Sequence, residues 1–229
     1  MVYQGNGGGW SPTLPALYRL KPKKNTDVIV MRSMAAITSQ LLEPVSVNQL
    51  IINLEPRFKK RDDVILSNCK HAVLLHLQSV SKSTAKQHQR LYATKTIDSV
   101  FDLNAEVGEI ETTAFFIKST GRKNTAGKGI DALYAMNSRG RKTELVNGVT
   151  AMKVVCYELD DQGVLQLKKP TQVLNWLKVR SVKVYLLLRS KDNVLNKPIK
   201  YYFYGQQHLA SDRRMYKKIQ MVIPLRERG

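Results

Sequence analysis

The feature that most constrains this chain is its punctuation: apolar and β-branched runs of strand length, each closed off by glycine, proline or a cluster of charges. Such runs lie at 27–31, 45–54, 64–66 and 72–80, with Pro44 and Pro56 bracketing the second. Lys59, Lys60, Arg61 and Asp62 form a charged turn before the third. Further runs follow at 109–118, 132–136, 143–146, 149–159, 164–167, 179–189, 199–204 and 217–225. Turn residues between several of them (Asn137 to Gly140, Asp160 to Gly163) predict hairpins. Within 179–189 the alternation of Arg180, Val182, Lys183 and Val184 gives way to Leu186, Leu187 and Leu188, a strand passing from a half-exposed to a buried environment. About ten strands with no room for long helices predict an α+β fold that is predominantly antiparallel β, its helical part reduced to a turn near 170–177.

Two segments read differently. Residues 1–25 carry Gly5, Gly7, Gly8, Gly9, Pro12, Pro15 and Pro22 among polar neighbours, which predicts a loop-like opening segment ahead of a single β-rich domain at 26–229. Residues 81–90 are polar and basic without periodicity and predict an exposed loop, while 119–129 (STGRKNTAGKG) predict a flexible basic hairpin tip.

Composition enters through charge. Hydrophobic residues at 43% and charged residues at 24% are those of a globular chain, so disorder is excluded. Against 18 Asp and Glu stand 37 Lys and Arg, a net charge of +19, with a pI near 10.0. That excess favours polyanions such as DNA or an acidic glycan, or serves as a solvated surface. Aromatic residues are only 7%, a thin supply for stacking on single strands. No apolar stretch approaches the roughly 18 to 20 residues of a membrane-spanning helix, and residues 1–20 lack the order of a signal peptide.

Catalytic patterns are tested and fail. Gly121 to Gly129 has the wrong spacing for a phosphate loop, and Lys128 is followed by Gly129 where a Ser or Thr would hold magnesium. His71 and His76 would point to opposite faces of one strand, and His88 and His208 have no ligand-spaced partners. Asp62 with Asp63, and Asp160 with Asp161, are adjacent turn carboxylates that do not face each other as an acid and base must. No G-x-S-x-G elbow exposes a serine. The sequence therefore predicts no enzyme, no metal and no cofactor. Cys69 and Cys156 either form one disulfide, closing a long loop and adding about 4 kcal/mol in the chain-entropy model, or remain two buried thiols.

The remaining candidates are cations. Lys21, Lys23 and Lys24; Lys59, Lys60 and Arg61; Arg122 and Lys123; Arg139, Arg141 and Lys142; and Arg213, Arg214, Lys217 and Lys218 all fall in predicted loops or at strand ends, where they can reach a polyanion. The aromatic run Tyr201 to Tyr204 is expected to pack in the core with hydroxyls at the rim.

The order of the runs also resembles a known family. YQGNGGGWSPTLP (Tyr3 to Pro15) is similar to the segment after the long N-terminal helix of the PilW family of minor type IV pilins, pilus-assembly proteins related to the J-type pseudopilins of type II secretion. TDVIVMR (Thr26 to Arg32) resembles its first globular strand, and DDVILSNC (Asp62 to Cys69) its strand ending in cysteine, with Asn68 where an acidic residue is common. ALYAM (Ala132 to Met136) with ELVNGVTAMKV (Glu144 to Val154) resembles the family hairpin. WLKVRSVKVYLLLRS (Trp176 to Ser190) and DRRMYKKIQMVIPLRER (Asp212 to Arg228) resemble its two closing segments and are the strongest pieces.

The resemblance implies a pilin-like head with little helix and a non-enzymatic role in priming fibre growth with other minor pilins, with a place at the tip afterwards. It implies an inner-membrane location with a periplasmic head before assembly and the cell-surface pilus after it. The membrane would be touched only through an apolar N-terminal helix bearing an early glutamate, behind a short leader. The present sequence shows neither and reads as the soluble region. The turn Asp160 to Gly163 is too poor in oxygen ligands to imply calcium. The charge of +19 exceeds what the resemblance requires and makes DNA or another polyanion the alternative partner.

Overall fold

A computed structural model describes residues 1–6, 9–14, 20–55, 57–68, 70–83 and 87–225. The strands in chain order are β1 (Val2–Asn6), β2 (Gly9–Ser11), β3 (Val28–Gln40), β4 (Gln49–Asn53), β5 (Asp63–Ser67), β6 (Ala72–Ser83), β7 (His88–Ala93) and β8 (Glu106–Lys123). They continue with β9 (Gly129–Met136), β10 (Lys142–Asn147), β11 (Val149–Leu159), β12 (Leu165–Lys168), β13 (Val179–Arg189), β14 (Lys200–Phe203), β15 (Gln206–Leu209) and β16 (Tyr216–Pro224). The pairings that connect them are antiparallel. The expected predominance of antiparallel β holds, and among the described residues the small helical part is two 3-10 turns, Pro170–Gln172 and Trp176–Lys178. No helix among the described residues is long and apolar enough to cross a membrane.

The chain falls into two compact units, one of residues 1–31 with 113–225 and one of 32–112. In the second unit the order β8-β5-β6-β7-β4 surrounds a core of Leu50, Ile52, Phe58, Leu66, Leu75, Leu77, Leu91 and Phe101. In the first unit two sheets face each other. One contains β2-β1-β3 with the ends of β8, then β9 and β10; the other is β12-β11-β13-β16. The period of two along each strand decides what lies between them. Val2 and Ile117 of the first sheet meet Met152, Val154, Cys156, Val182, Val184 and Leu186 of the second. The opposite face of the first sheet holds Tyr3, Val28, Val30, Ala114 and Phe116 under Leu20. Each large side chain so enclosed contributes roughly 1.5–3 kcal/mol of apolar burial.

Three expectations are corrected. The opening segment is not all loop, since β1 and β2 lie within it. Its glycines serve close approach: a Cβ on Gly5 would stand 2.1 Å from the Thr26 carbonyl oxygen. Gly7, Gly8 and Pro15 lie outside the described residues. The predicted exposed loop at 81–90 is largely strand, because β6 runs to Ser83 and β7 begins at His88. Ser81 stands opposite Arg90 with both side chains exposed, and Lys82 is exposed opposite Gln89, which is buried and accepts from the Glu55 amide at 3.1 Å, so polarity here does not mark a break in pairing. The run expected to end at Tyr204 turns through Tyr204 (φ 52) and Gly205 (φ 77) into β15, a two-residue hairpin turn whose positive φ at both positions suits glycine.

Candidate assembly surface

The sheet β12-β11-β13-β16 is tied to the rest of its unit by buried polar groups as well as by its core. Asp27, 1% exposed, immediately precedes β3 and accepts hydrogen bonds from the Gly5 amide at 3.0 Å and the Val154 amide at 2.8 Å, with the Lys153 ammonium 3.3 Å away. Burial pushes its carboxyl above the ordinary value, and Lys153 offsets part of that. Glu158 sits 2.6 Å from the Lys168 ammonium and accepts from the Asn175 amide at 3.0 Å, which together hold its carboxyl below the ordinary value. Neither aspartate nor glutamate is legible as special in the sequence, because the partners lie far along the chain.

The outer face of this sheet is partly covered by the β14–β15 hairpin. Tyr204 meets Tyr185 edge-on at 5.6 Å, and Tyr201 lies between His208 (5.3 Å) and Tyr216 (4.4 Å) in a stacked row. A cleft of about 270 Å³ under the hairpin is lined by Ala151, Leu187, Tyr201, Phe203 and Lys153, whose ammonium is already turned to Asp27 and the Gly5 carbonyl.

Coverage ends at β16. Its register places Ile219 and Met221 beside Leu186 and Val184, on the core side of the sheet, yet Met221 is 44% exposed. On the other side Val222 stands beside Lys183 and is 54% exposed. The strand is nine residues long and pairs only with β13 among the described residues, so one row of its backbone groups is open. At the far edge, β12 exposes Leu165 and Leu167, with Leu174 and Leu177 exposed in the neighbouring turns. An open edge with exposed apolar side chains and no bulge to shield it is a template for another chain, and in β16 these lie in its second half, past Lys217 and Lys218.

The predicted cations do not form one site. Lys59, Lys60 and Arg61 are exposed at a turn of the second unit, where the Lys59 amide donates to Asp62. Arg122 pairs with Glu144, which also accepts from the Tyr134 hydroxyl. Arg139, Arg141 and Lys142 lie at the Met136 end of β9 and Lys123 at its Gly129 end, roughly 23 Å apart at strand rise. Arg213, Lys217 and Lys218 are exposed near the start of β16. Arg214 is corrected: it is 2% exposed, 3.3 Å from Asp212, and unable to reach an external partner. Of the carboxylate pairs, Asp160 accepts from the amides of Gln162 and Val164, Asp161 pairs with Lys178, and Asp63 meets His76 at 2.8 Å. Among the described residues no three His, Cys, Asp or Glu are placed to hold a metal ion. Cys156 is buried in the core, and burial raises its thiol to about 11; Cys69 lies outside the described residues.

Residues 115–227 match the family model of the type IV pilus-assembly protein W, which supports a role related to type IV pilus assembly. The matched stretch contains all four strands of the β12-β11-β13-β16 sheet. No curated protein and no solved structure matches the chain.

Proposed function

We propose that the chain acts as a non-enzymatic minor pilin, joining other minor pilins in a complex that primes fibre growth and remains at the pilus tip. On this reading it resides in the inner membrane with its β-rich head in the periplasm before assembly, and on the cell-surface fibre afterwards. The observation that carries the reading is the β16 edge, which lies inside the family-matched stretch and exposes Ile219, Met221 and Val222, side chains from both of its faces. The occupant it suits is a strand or apolar flank of another pilus subunit, held by main-chain hydrogen bonds and shape.

The test is a deletion strain complemented with the gene, scored for surface pili, together with affinity purification of the tagged protein from envelopes. Loss of pili on deletion and recovery of other minor pilins with the tag are expected. Normal piliation without such recovery would overturn the proposal.

A further inference from the structure

Three loops meet at one end of the first unit. The tip joining β8 to β9 was expected to be flexible, but it is clamped. The Asn124 side chain donates to the Lys191 carbonyl at 3.0 Å and accepts from the Lys128 amide at 2.7 Å. The Thr125 amide and hydroxyl donate to Asp192 at 3.0 and 2.7 Å. The loop before β16 is fastened to the same place: the Val194 and Leu195 amides donate to the Arg213 carbonyl at 3.1 and 2.9 Å, and the Arg213 amide donates to Asn193 at 3.1 Å. Three loops distant in sequence are thereby fixed at one end of the unit.

What they present is cationic. Lys123, Lys128, Lys191, Arg213 and Lys217 are exposed there, and none makes a side-chain ion pair among the described residues. The nearby carboxylates are engaged inward, Asp131 with Lys23 at 2.6 Å and Asp192 with Thr125. Beneath them the guanidinium of Arg214 is buried, and its Nε is 3.3 Å from Asp212 without hydrogen-bond geometry. Its charge is balanced by the Asp212 carboxylate, so the surface cations carry the field here. The cavity at this end, lined by Arg189, Lys191 and Arg214, has about 10 Å³, the size of one water site, so a small ligand has no seat.

We propose that this end of the unit binds the phosphate backbone of double-stranded DNA. A surface of fixed cations without a pocket grips an extended polyanion by charge, and duplex DNA, with one charge per roughly 1.7 Å of axis, releases the most counterions on contact. Regular spacing of phosphates also suits cations whose loops are already ordered, since little freedom is lost on binding.

Fluorescence anisotropy of a labelled 20-base-pair duplex with the 229-residue chain tests this directly. Engagement of about four phosphates predicts a log–log salt slope near −3.6, so affinity falls roughly 100-fold between 50 and 200 mM salt. Lys191→Glu with Arg213→Glu is expected to weaken binding at least tenfold and flatten the slope by about two. The neutral pair Lys191→Gln with Arg213→Gln should show a smaller loss in the same direction, and it keeps the test intact if charge reversal disturbs folding. Arg139→Glu with Arg141→Glu, at the other end of β9, should change affinity less than threefold. Absence of binding, a salt-independent affinity, equal losses in both pairs of variants, or preference for a heparin fragment or anionic vesicle over the duplex would each overturn the proposal.

Discussion

Two methionines of one sheet, both on its core side, have opposite fates. Met152 of β11 is 1% exposed, aligned with Leu186, and enclosed by the facing sheet; Met221 of β16, aligned with Val184, is 44% exposed. Both strands pair with β13, but β11 also pairs with β12 on its other side. They also differ in what lies over them: the facing sheet and the 3-10 turns cover β11 and β13, and of β16 only Ile223 packs against that core. A strand so built folds by pairing with its neighbour and leaves its apolar surface for use, which is why the open edge and not the cleft defines the assembly surface.

The contrast can be broken by substitution. Met152→Ala removes enclosed volume and is expected to destabilise by about 3 kcal/mol in denaturant unfolding, whereas Met221→Ala should stay within about 0.5 kcal/mol. Equal losses would show that β16 is covered. Asp27→Ala takes away the acceptor shared by Gly5 and Val154 and leaves Lys153 without its partner; a cost of about 2 kcal/mol is expected, moderated because Lys153 can turn to water.

Acid titration sharpens the picture of the polar ties, because the two carboxylates act with opposite signs. Glu158 is held below its ordinary value, so its contribution is complete above the unfolded-state pKa and is lost as pH falls through the lower folded value. Asp27 is raised, so its ionisation opposes folding, and on its account stability rises as pH falls into the same range. Urea midpoints of Glu158→Gln should therefore decline less below pH 4.5 than those of the parent, while Asp27→Asn should decline more. The smallest effect concerns Cys156: with its thiol near 11, reduced folded protein should resist iodoacetamide at pH 8 at this position and react there after unfolding, as read by peptide mass.

Much of the fold is legible in the sequence wherever a strand has one buried and one exposed face, as in β11 and β13, where period-two alternation and the Leu186 to Leu188 run announce burial. It is illegible where pairing is decided by the neighbour. Residues 32–40 extend β3 with mostly exposed side chains, and His88–Ala93 forms β7 in part of a stretch that reads as loop. The opening glycines read as breakers because the approach of Thr26 to Gly5 is a tertiary fact. Cation positions were legible as types but not as groups: only the pairing of β8, β9 and β10 separates Lys123 from Arg139 and Arg141, and only packing turns Arg214 inward. The family was legible because its closing segments coincide with β13 and β16, the strands whose order and exposure make the edge.

The most direct test of the account is site-specific photo-crosslinking in piliated cells, with a photoreactive residue at Val222 on the open edge or at Arg139 on the β9–β10 turn. The account predicts covalent adducts with another type IV pilus subunit from position 222 and none from position 139. Adducts confined to position 139, or none from either position in cells that assemble normal pili, would contradict it.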